Sequence, residues 1–386
     1  STFVAQYFGA KQYSKIGVVV WQGAYISGFG VIVALLGYYF AEEIFHFFGH
    51  EEPIRLLEVS YFKVLMFSAP FMIINATFSG FFSGIGKTQS VMWVNVFITV
   101  VNLVLDYLFI FGYGEIPEMG IEGAGRATNI AIIAGVMVYL ALLSKREYRK
   151  TYDTINSWKF DFIIFKRLLY FGFPNGFRMF VDMSSFTLFV MIIGTLGTYE
   201  LFASNIAFNI NVLAFLPMVG MMIAVSVLVG QRQGENRPDL AEKATWSALH
   251  IALVFFGGIA MIYLFLRTLF IWPFTINDGI ENSHELEVLV TQLLKFIAFF
   301  GIFDAMLLVF TGALLGAGDT RFVMKTTIVV SWFLLVLPCY LYITYFEAEL
   351  ITLWWIITLH VLLFCSVFFL RFVQGKWKHM TVIDEI

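Results

Sequence analysis

The sequence predicts an all-α integral membrane protein of two six-helix bundles related by a parallel repeat, with about ten complete spans present of an inferred twelve. Three observations carry this expectation. The 386 residues are 60% hydrophobic and only 13% charged, where a soluble domain needs roughly 25% charged residues to wet its surface. The apolar residues gather into ten runs long enough to cross a bilayer, which takes about 20 residues each. The loops between the runs alternate in charge, and one loop motif occurs twice.

The runs cover residues 17–40, 61–85, 89–112, 124–144, 167–194, 203–229, 244–270, 290–316, 323–346 and 349–373. They are too long for barrel strands and lack a period of two, which argues against a β-barrel. Mean hydropathy is +0.83. No basic segment followed by a short apolar run and a small-residue cleavage site marks a signal peptide. Cys339 and Cys365 both sit inside apolar runs, so a disulfide framework is not expected.

One set of loops carries 18 of the 24 Lys and Arg residues. These are Lys11, Lys15, Lys87, the cluster at 145–167, Arg232, Arg237, Lys243, Arg321, Lys325, Arg371, Lys376 and Lys378. The opposite loops carry Glu42, Glu43, Glu51, Glu52, Glu58, Glu115, Glu118, Glu122, Glu200, Asp278, Glu281, Glu285, Glu287, Glu347 and Glu349. Arg55 is the one basic residue well inside them. Basic loops stay in the cytoplasm, which puts the C-terminus and the loop at 9–16 inside.

The repeated motif pairs residues 78–89 with 310–321: Phe78, Gly80, Gly84, Gly86 and Thr88 match Phe310, Gly312, Gly316, Gly318 and Thr320. Gln6 and Gly9 likewise match Gln231 and Gly234. Both members of each pair fall at a basic-side helix end, so the two halves have one orientation, a parallel repeat. The second half holds six spans and the first only four. The expected organisation is an N-terminal bundle at 1–144 lacking its first one to two spans. A cytoplasmic linker at 145–166, a C-terminal six-helix bundle at 167–373 and a cytoplasmic tail at 374–386 follow.

Three acids lie well inside spans: Asp106, Asp182 and Asp304. A charged side chain at mid-bilayer costs at least about 2.5–3.5 kcal/mol, so such residues face a bundle interior or a water cavity and are functional candidates. The bland alternative is a protonated or paired carboxyl acting as helix glue. Arg178 precedes Asp182 by one helical turn, on the same face. Asp304 has no basic residue within helical reach, and Asn102 lies one turn before Asp106. Asn205 and Asn209 repeat that spacing, where interhelical hydrogen bonding competes with substrate contact.

Other signals are weak. Gly84-Ile85-Gly86-Lys87-Thr88 lacks the first glycine of a phosphate loop, since Phe81 holds that position, and it ends an apolar run rather than a strand. The histidines, His46, His50, His250, His284, His360 and His379, show no metal-ligand spacing. Pro70, Pro174, Pro217 and Pro338 fall inside spans, where they bend helices. No constellation of paired His and acids on facing spans suggests an enzyme.

With these residues in order, the chain resembles the multidrug and toxic compound extrusion (MATE) family, NorM-like members included. The carriers are Val4-Ala5-Gln6 with Gly9-Ala10, Leu228-Val229-Gly230-Gln231 with Gly234, Gly316-Ala317-Gly318-Asp319-Thr320, Asn102 with Asp106, and Pro117 with Gly120-Ile121-Glu122-Gly123-Ala124. The resemblance implies an outward-facing, V-shaped pair of six-helix bundles in the plasma membrane, the inner membrane of a bacterium. It implies a monomeric antiporter that exports amphipathic, often cationic compounds in exchange for Na⁺ or H⁺, by alternating access around a midplane cavity. No cofactor beyond the coupling ion and no nucleic-acid partner is implied; small-molecule substrates and lipids are.

By the same resemblance, Asp304 matches the family's acid before the Gly-x-Gly-Asp-Thr turn, and Asp182 matches a position usually held by Glu. Asn102 and Asp106 match a polar cluster for which Thr128 is a partner hydroxyl. The expected coupling residues are therefore Asp304, Asp182, Asp106 and Asn102, with Arg178, Asn205, Asn209 and Thr128 toward substrate. Arg178 departs from the family pattern and opposes a simple Na⁺-ligand role for Asp182, which leaves either a permanently ionised pair or a switchable pair that substrate or a proton breaks. The alternative within the same superfamily is a flippase for lipid-linked oligosaccharides or polysaccharides.

Overall fold

The computed structural model describes residues 1–49, 51–266, 268, 270–271 and 283–383. Asp278, Glu281 and His50 lie outside the described residues. The described chain is helical nearly throughout. Among the described residues, nine helices are long and apolar enough to cross a membrane, and one bent pair raises the number to ten.

In chain order the helices are α1 (Thr2–Gly9), α2 (Tyr13–Tyr25), α3 (Ser27–Tyr39), α4 (Ala41–Phe48), α5 (Glu52–Met66), α6 (Ala69–Gly84), α7 (Thr88–Phe111), α8 (Gly120–Leu143) and α9 (Arg146–Tyr152). Then come α10 (Phe162–Gly194), α11 (Thr198–Gly234), α12 (Pro238–Phe265), α13 (Ser283–Ala317), α14 (Thr320–Ser331), α15 (Leu337–Tyr345) and α16 (Leu350–Val373). Contacts divide the chain near residue 168 into two compact units.

The breaks inside spans have local causes. The pair α5 and α6 bends by 47° at Phe67–Ser68. Pro70 has no N–H to offer the preceding turn, and the Ser68 hydroxyl donates to Leu65 O at 2.7 Å. Between α14 and α15 the backbone opens into a π-helical turn, Trp332–Val336, directly before Pro338. A π turn is one way a helix absorbs a missing donor.

One expected loop is not a loop. Residues 41–60 were expected to connect two spans, yet 41–48 form α4 and 52–60 the first half of α5. Glu42 and Glu43 sit in the first turn of α4 and His46 in its last, each placed to complement the helix dipole. Gly49, at φ 71°, ends the helix in the left-handed region, and Pro53 helps start α5. Lys63 reaches back to Glu42 at 2.7 Å.

In the N-terminal unit an aromatic cluster holds the basic end together. Phe82 stacks on Tyr139 at 5.6 Å, and Phe81 meets Tyr152 edge-on at 5.5 Å. The basic segment after α8 folds onto this unit. Trp21 Nε1 donates to Thr154 O at 2.7 Å, and Gln22 Nε2 donates to Lys159 O at 3.0 Å.

The repeat is visible in the backbone. Lys11 and Asn236 both adopt positive φ, 58° and 57°, at equivalent places after α1 and α11. The bonds Ala10 N to Gln6 O and Gln12 N to Tyr7 O recur as Glu235 N to Gln231 O and Arg237 N to Arg232 O. Gly86 and Gly318 likewise both lie at positive φ, 80° and 99°. The glycines before them serve close approach. A Cβ on Gly84 would meet Ser1 O at 3.0 Å and Val4 at 2.7 Å, and one on Gly316 would meet Ser226 O at 2.4 Å. Ser1 and Ser226 stand in the same place before Gln6 and Gln231. Each unit thus packs the same glycine face on the same neighbouring backbone.

In the C-terminal unit α11, α12, α13 and α16 surround one core, with Phe208 stacked on Trp354 at 5.0 Å. The segment after α16 is not a free tail. Trp377 is fully buried and stacks on Phe372 at 5.1 Å. Its Nε1 donates to Phe372 O at 2.9 Å, and its carbonyl accepts from Gln233 Nε2 at 2.8 Å. Lys378 pairs with Glu242 at 2.6 Å, and Arg371 with Asp319 at 2.8 Å. Trp377→Ala is expected to cost about 3–5 kcal/mol, read as a clearly lower unfolding temperature in detergent. An unchanged temperature would show that the strap contributes nothing.

Candidate functional site

Each unit carries its own set of polar groups within apolar helices. In the N-terminal unit, α7 and α8 bring Asn102 and Thr128 together. Asn102 Nδ2 donates to Thr128 Oγ1 at 3.4 Å, while the Thr128 hydroxyl donates to Ala124 O, one turn back, at 3.0 Å. Asp106 follows Asn102 on α7 by one turn, half-buried, and its Oδ1 is buried without a hydrogen-bond partner.

Two residues that sequence reasoning missed join the oxygen-rich character of this unit. Asn129, buried on α8, donates from Nδ2 to Val64 O at 2.8 Å and leaves Oδ1 without a partner. Asn75 on α6 also has a buried, unpartnered Oδ1, which lies 3.5 Å from where a Cβ on Gly135 of α8 would stand. The signal for both was an amide in the middle of an apolar run. Buried acceptors without donors are costly; in this unit they are Oδ1 of Asn75, Asp106 and Asn129 and Oε1 of Gln12 and Gln22. Nearer the acidic end, Ser60 donates to Glu122, which pairs with Arg126 at 3.4 Å.

In the C-terminal unit, Arg178 and Asp182 form the pair that their spacing predicts, with Nη1 and Oδ2 3.9 Å apart. The Arg178 side chain is only 12% exposed and that of Asp182 50%. Arg178 Nε also donates to Asn175 Oδ1 at 3.4 Å. Both amide and guanidinium follow Pro174, the proline inside α10. Asp304 lies mid-way along α13, and the charge of Asp182 reaches it. Cys365 of α16 feels the charge of Asp304 in turn. Asp182 is therefore linked by charge both to Arg178 and to Asp304.

The remaining candidates sit elsewhere. Asn205 and Asn209 are exposed along α11, where Asn209 Nδ2 bonds back to Asn205 O at 2.9 Å within one helix. His360 of α16, which its spacing gave no reason to single out, is buried with neither ring nitrogen hydrogen-bonded. Gly84-Ile85-Gly86-Lys87-Thr88 forms a helix end and turn, with Lys87 at the position just before α7.

The chain matches the MatE family model over residues 1–108 and 174–341. It is 26% identical over 334 residues to a probable multidrug resistance protein NorM of Shewanella oneidensis, covering 85% of this chain and 70% of that protein. With the probable multidrug resistance protein NorM of Thermotoga maritima it shares 26% identity over 383 residues, 99% of this chain and 81% of the relative. Among solved structures, a MOP superfamily transporter from Pyrococcus furiosus superposes with a TM-score of 0.88 at 20% identity, covering 98% of this chain and 83% of the other.

Proposed function

This chain belongs to the MatE family and is a NorM-like transporter of many membrane spans, and from that premise we propose that it exports amphipathic, often cationic compounds in exchange for Na⁺ or H⁺. The observation that carries the coupling is Asp304, a carboxyl midway along an apolar helix whose electrostatic neighbour is another carboxyl, Asp182. A carboxylate there is relieved by a proton or a monovalent cation. An organic cation arriving at the same charge competes with that ion.

The exchange follows from differential affinity. A ligand shifts a two-state transporter only to the extent that it binds one state better. When the coupling ion and the drug draw on the same negative charge, occupation by one disfavours the other, and the chain alternates its access with either bound but not both. Asp106, with a buried, unpartnered Oδ1 one turn from Asn102, supports a second ion-responsive position in the N-terminal unit. The basic loops support a cytoplasmic C-terminus and linker. Each unit holds its own interior acid, Asp106 in one and Asp182 with Asp304 in the other, which supports action as a single chain. The interior of the spans offers Arg178 against Asp106, Asp182 and Asp304, a balance that disfavours the anionic lipid of a flippase.

Ethidium efflux from energised cells expressing the protein tests the reading. Faster efflux than in empty cells, lost when the Na⁺ or proton gradient is collapsed, is the expected result. Efflux equal to that of empty cells under both gradients contradicts it.

A further inference from the structure

We propose that the linker at 145–166 is a docking surface for anionic phospholipid. Its backbone is stapled to α2 at the edge of the bilayer, its aromatic side chains enter the headgroup layer, and its bases take the lipid phosphates. The proposal concerns a surface apart from the transport site and does not rest on the antiport reading.

The staple comes from α2. Trp21 Nε1 donates to Thr154 O at 2.7 Å, Gln22 Nε2 donates to Lys159 O at 3.0 Å, and the Tyr25 hydroxyl donates to Trp158 O. These donors share one face of the helix. With α3, α2 makes one span, Tyr13–Tyr39. About 20 residues cross the hydrocarbon, so counting back from Tyr39 puts the basic-side boundary near Val20. Trp21 and Tyr25 stand at and just inside that boundary, as interfacial aromatics do. Backbone carbonyls left bare at this depth are costly, and the staple satisfies three of them.

The linker turns apolar and basic side chains outward together. Trp158, Phe160, Phe162 and Ile163 are each more than half exposed. In the same segment Lys145, Arg146, Arg149, Lys150, Lys159 and Lys166 are exposed. Among the described residues none of these six is in an ion pair. Within α9, Tyr148 and Tyr152 face inward on Phe81, at 6.0 and 5.5 Å, which leaves the bases of that helix outside. Two of the three acids of the linker are engaged within it. Asp153 accepts from Asn156 Nδ2 and Ser157 Oγ, both at 3.0 Å. Asp161 Oδ1 accepts from the N–H groups of Ile163 and Ile164 at 2.9 and 3.0 Å. A soluble anion would satisfy the bases and leave the apolar side chains in water, and a neutral lipid would do the reverse. An anionic phospholipid offers both a phosphate for the bases and an acyl boundary for the rings.

The test uses the purified full chain in phosphatidylcholine bilayers with the same lipids in both leaflets. A minor fraction is brominated phosphatidylglycerol or, in parallel, brominated phosphatidylcholine, since bromine on an acyl chain quenches tryptophan in contact with it. The difference between wild type and Trp158→Phe isolates the signal of Trp158. Brominated phosphatidylglycerol is expected to quench that signal at lower fractions than brominated phosphatidylcholine, with about 5-fold of preference for each base engaged. Combining Arg149→Gln, Lys150→Gln, Lys159→Gln and Lys166→Gln is expected to make the two lipids equal without lowering the unfolding temperature. Combining Lys150→Arg, Lys159→Arg and Lys166→Arg should keep the preference. Equal quenching by the two lipids in wild type, or an anionic preference that survives the four Gln substitutions, would overturn the proposal. So would a Trp158 signal quenched by iodide in the water and by neither lipid, the result expected if a soluble partner covers this face.

Discussion

Replacing Asp304 with Asn is expected to abolish uphill efflux while leaving the folded protein intact. Asn keeps the shape of the carboxyl and loses the ability to bind Na⁺ or to take up and release a proton. The coupling ion then has no differential affinity for the two access states through this site, and a ligand without differential affinity shifts nothing. Coupling free energies of this kind are about 1–3 kcal/mol, so removing one lowers the driven drug gradient by roughly 5–150-fold. Stability should hold, because the substitution removes a charge from an apolar helix rather than a packing contact. The check is efflux rate together with the unfolding temperature in detergent. Normal efflux by a well-folded Asp304→Asn variant would remove Asp304 from the mechanism.

Gly316→Val is expected to destabilise the C-terminal unit by forcing two of its helices apart. A Cβ at Gly316 would lie 2.4 Å from Ser226 O and 2.9 Å from Ser226 Cα. Both are backbone atoms, so α11 and α13 must move apart. Overpacking of this kind costs typically about 1–3 kcal/mol, and here it opens the contact at the heart of the unit. Gly312, whose Cβ would meet Met222 O at 2.4 Å, lies one turn earlier on the same seam. Gly257, in open space on α12, is the control: Gly257→Ala should be neutral or stabilising by up to roughly 1 kcal/mol. Thermal unfolding of the purified variants separates the two outcomes. Equal unfolding temperatures for Gly316→Val and Gly257→Ala would contradict the close-packed seam.

The spans were legible because a membrane leaves the backbone only apolar helices of about 20 residues or a closed barrel, and runs this long without a period of two fit the helix. The repeat was legible because its glycines answer a steric demand that recurs in each unit. Arg178 and Asp182 could be paired from spacing, since residues four apart share a helix face. Other features depend on tertiary contacts that no spacing encodes. The helical character of residues 41–48 and 52–60 was hidden by their acids, which hydropathy reads as loop and a helix N-terminus welcomes. The docked segment around Trp377 resembled a polar tail because its partners, Gln233 and Glu242, come from distant helices. Asn75, Asn129 and His360 stand out only when burial shows that their polar atoms lack partners.

The most direct test of the account is drug counter-transport by purified protein in liposomes, with the Na⁺ gradient and the proton gradient imposed one at a time. The account predicts that ethidium moves against its own gradient under at least one of the two, and that the movement disappears in Asp304→Asn. Ethidium that only equilibrates under both gradients, in wild type and variant alike, would contradict cation-coupled export by this chain.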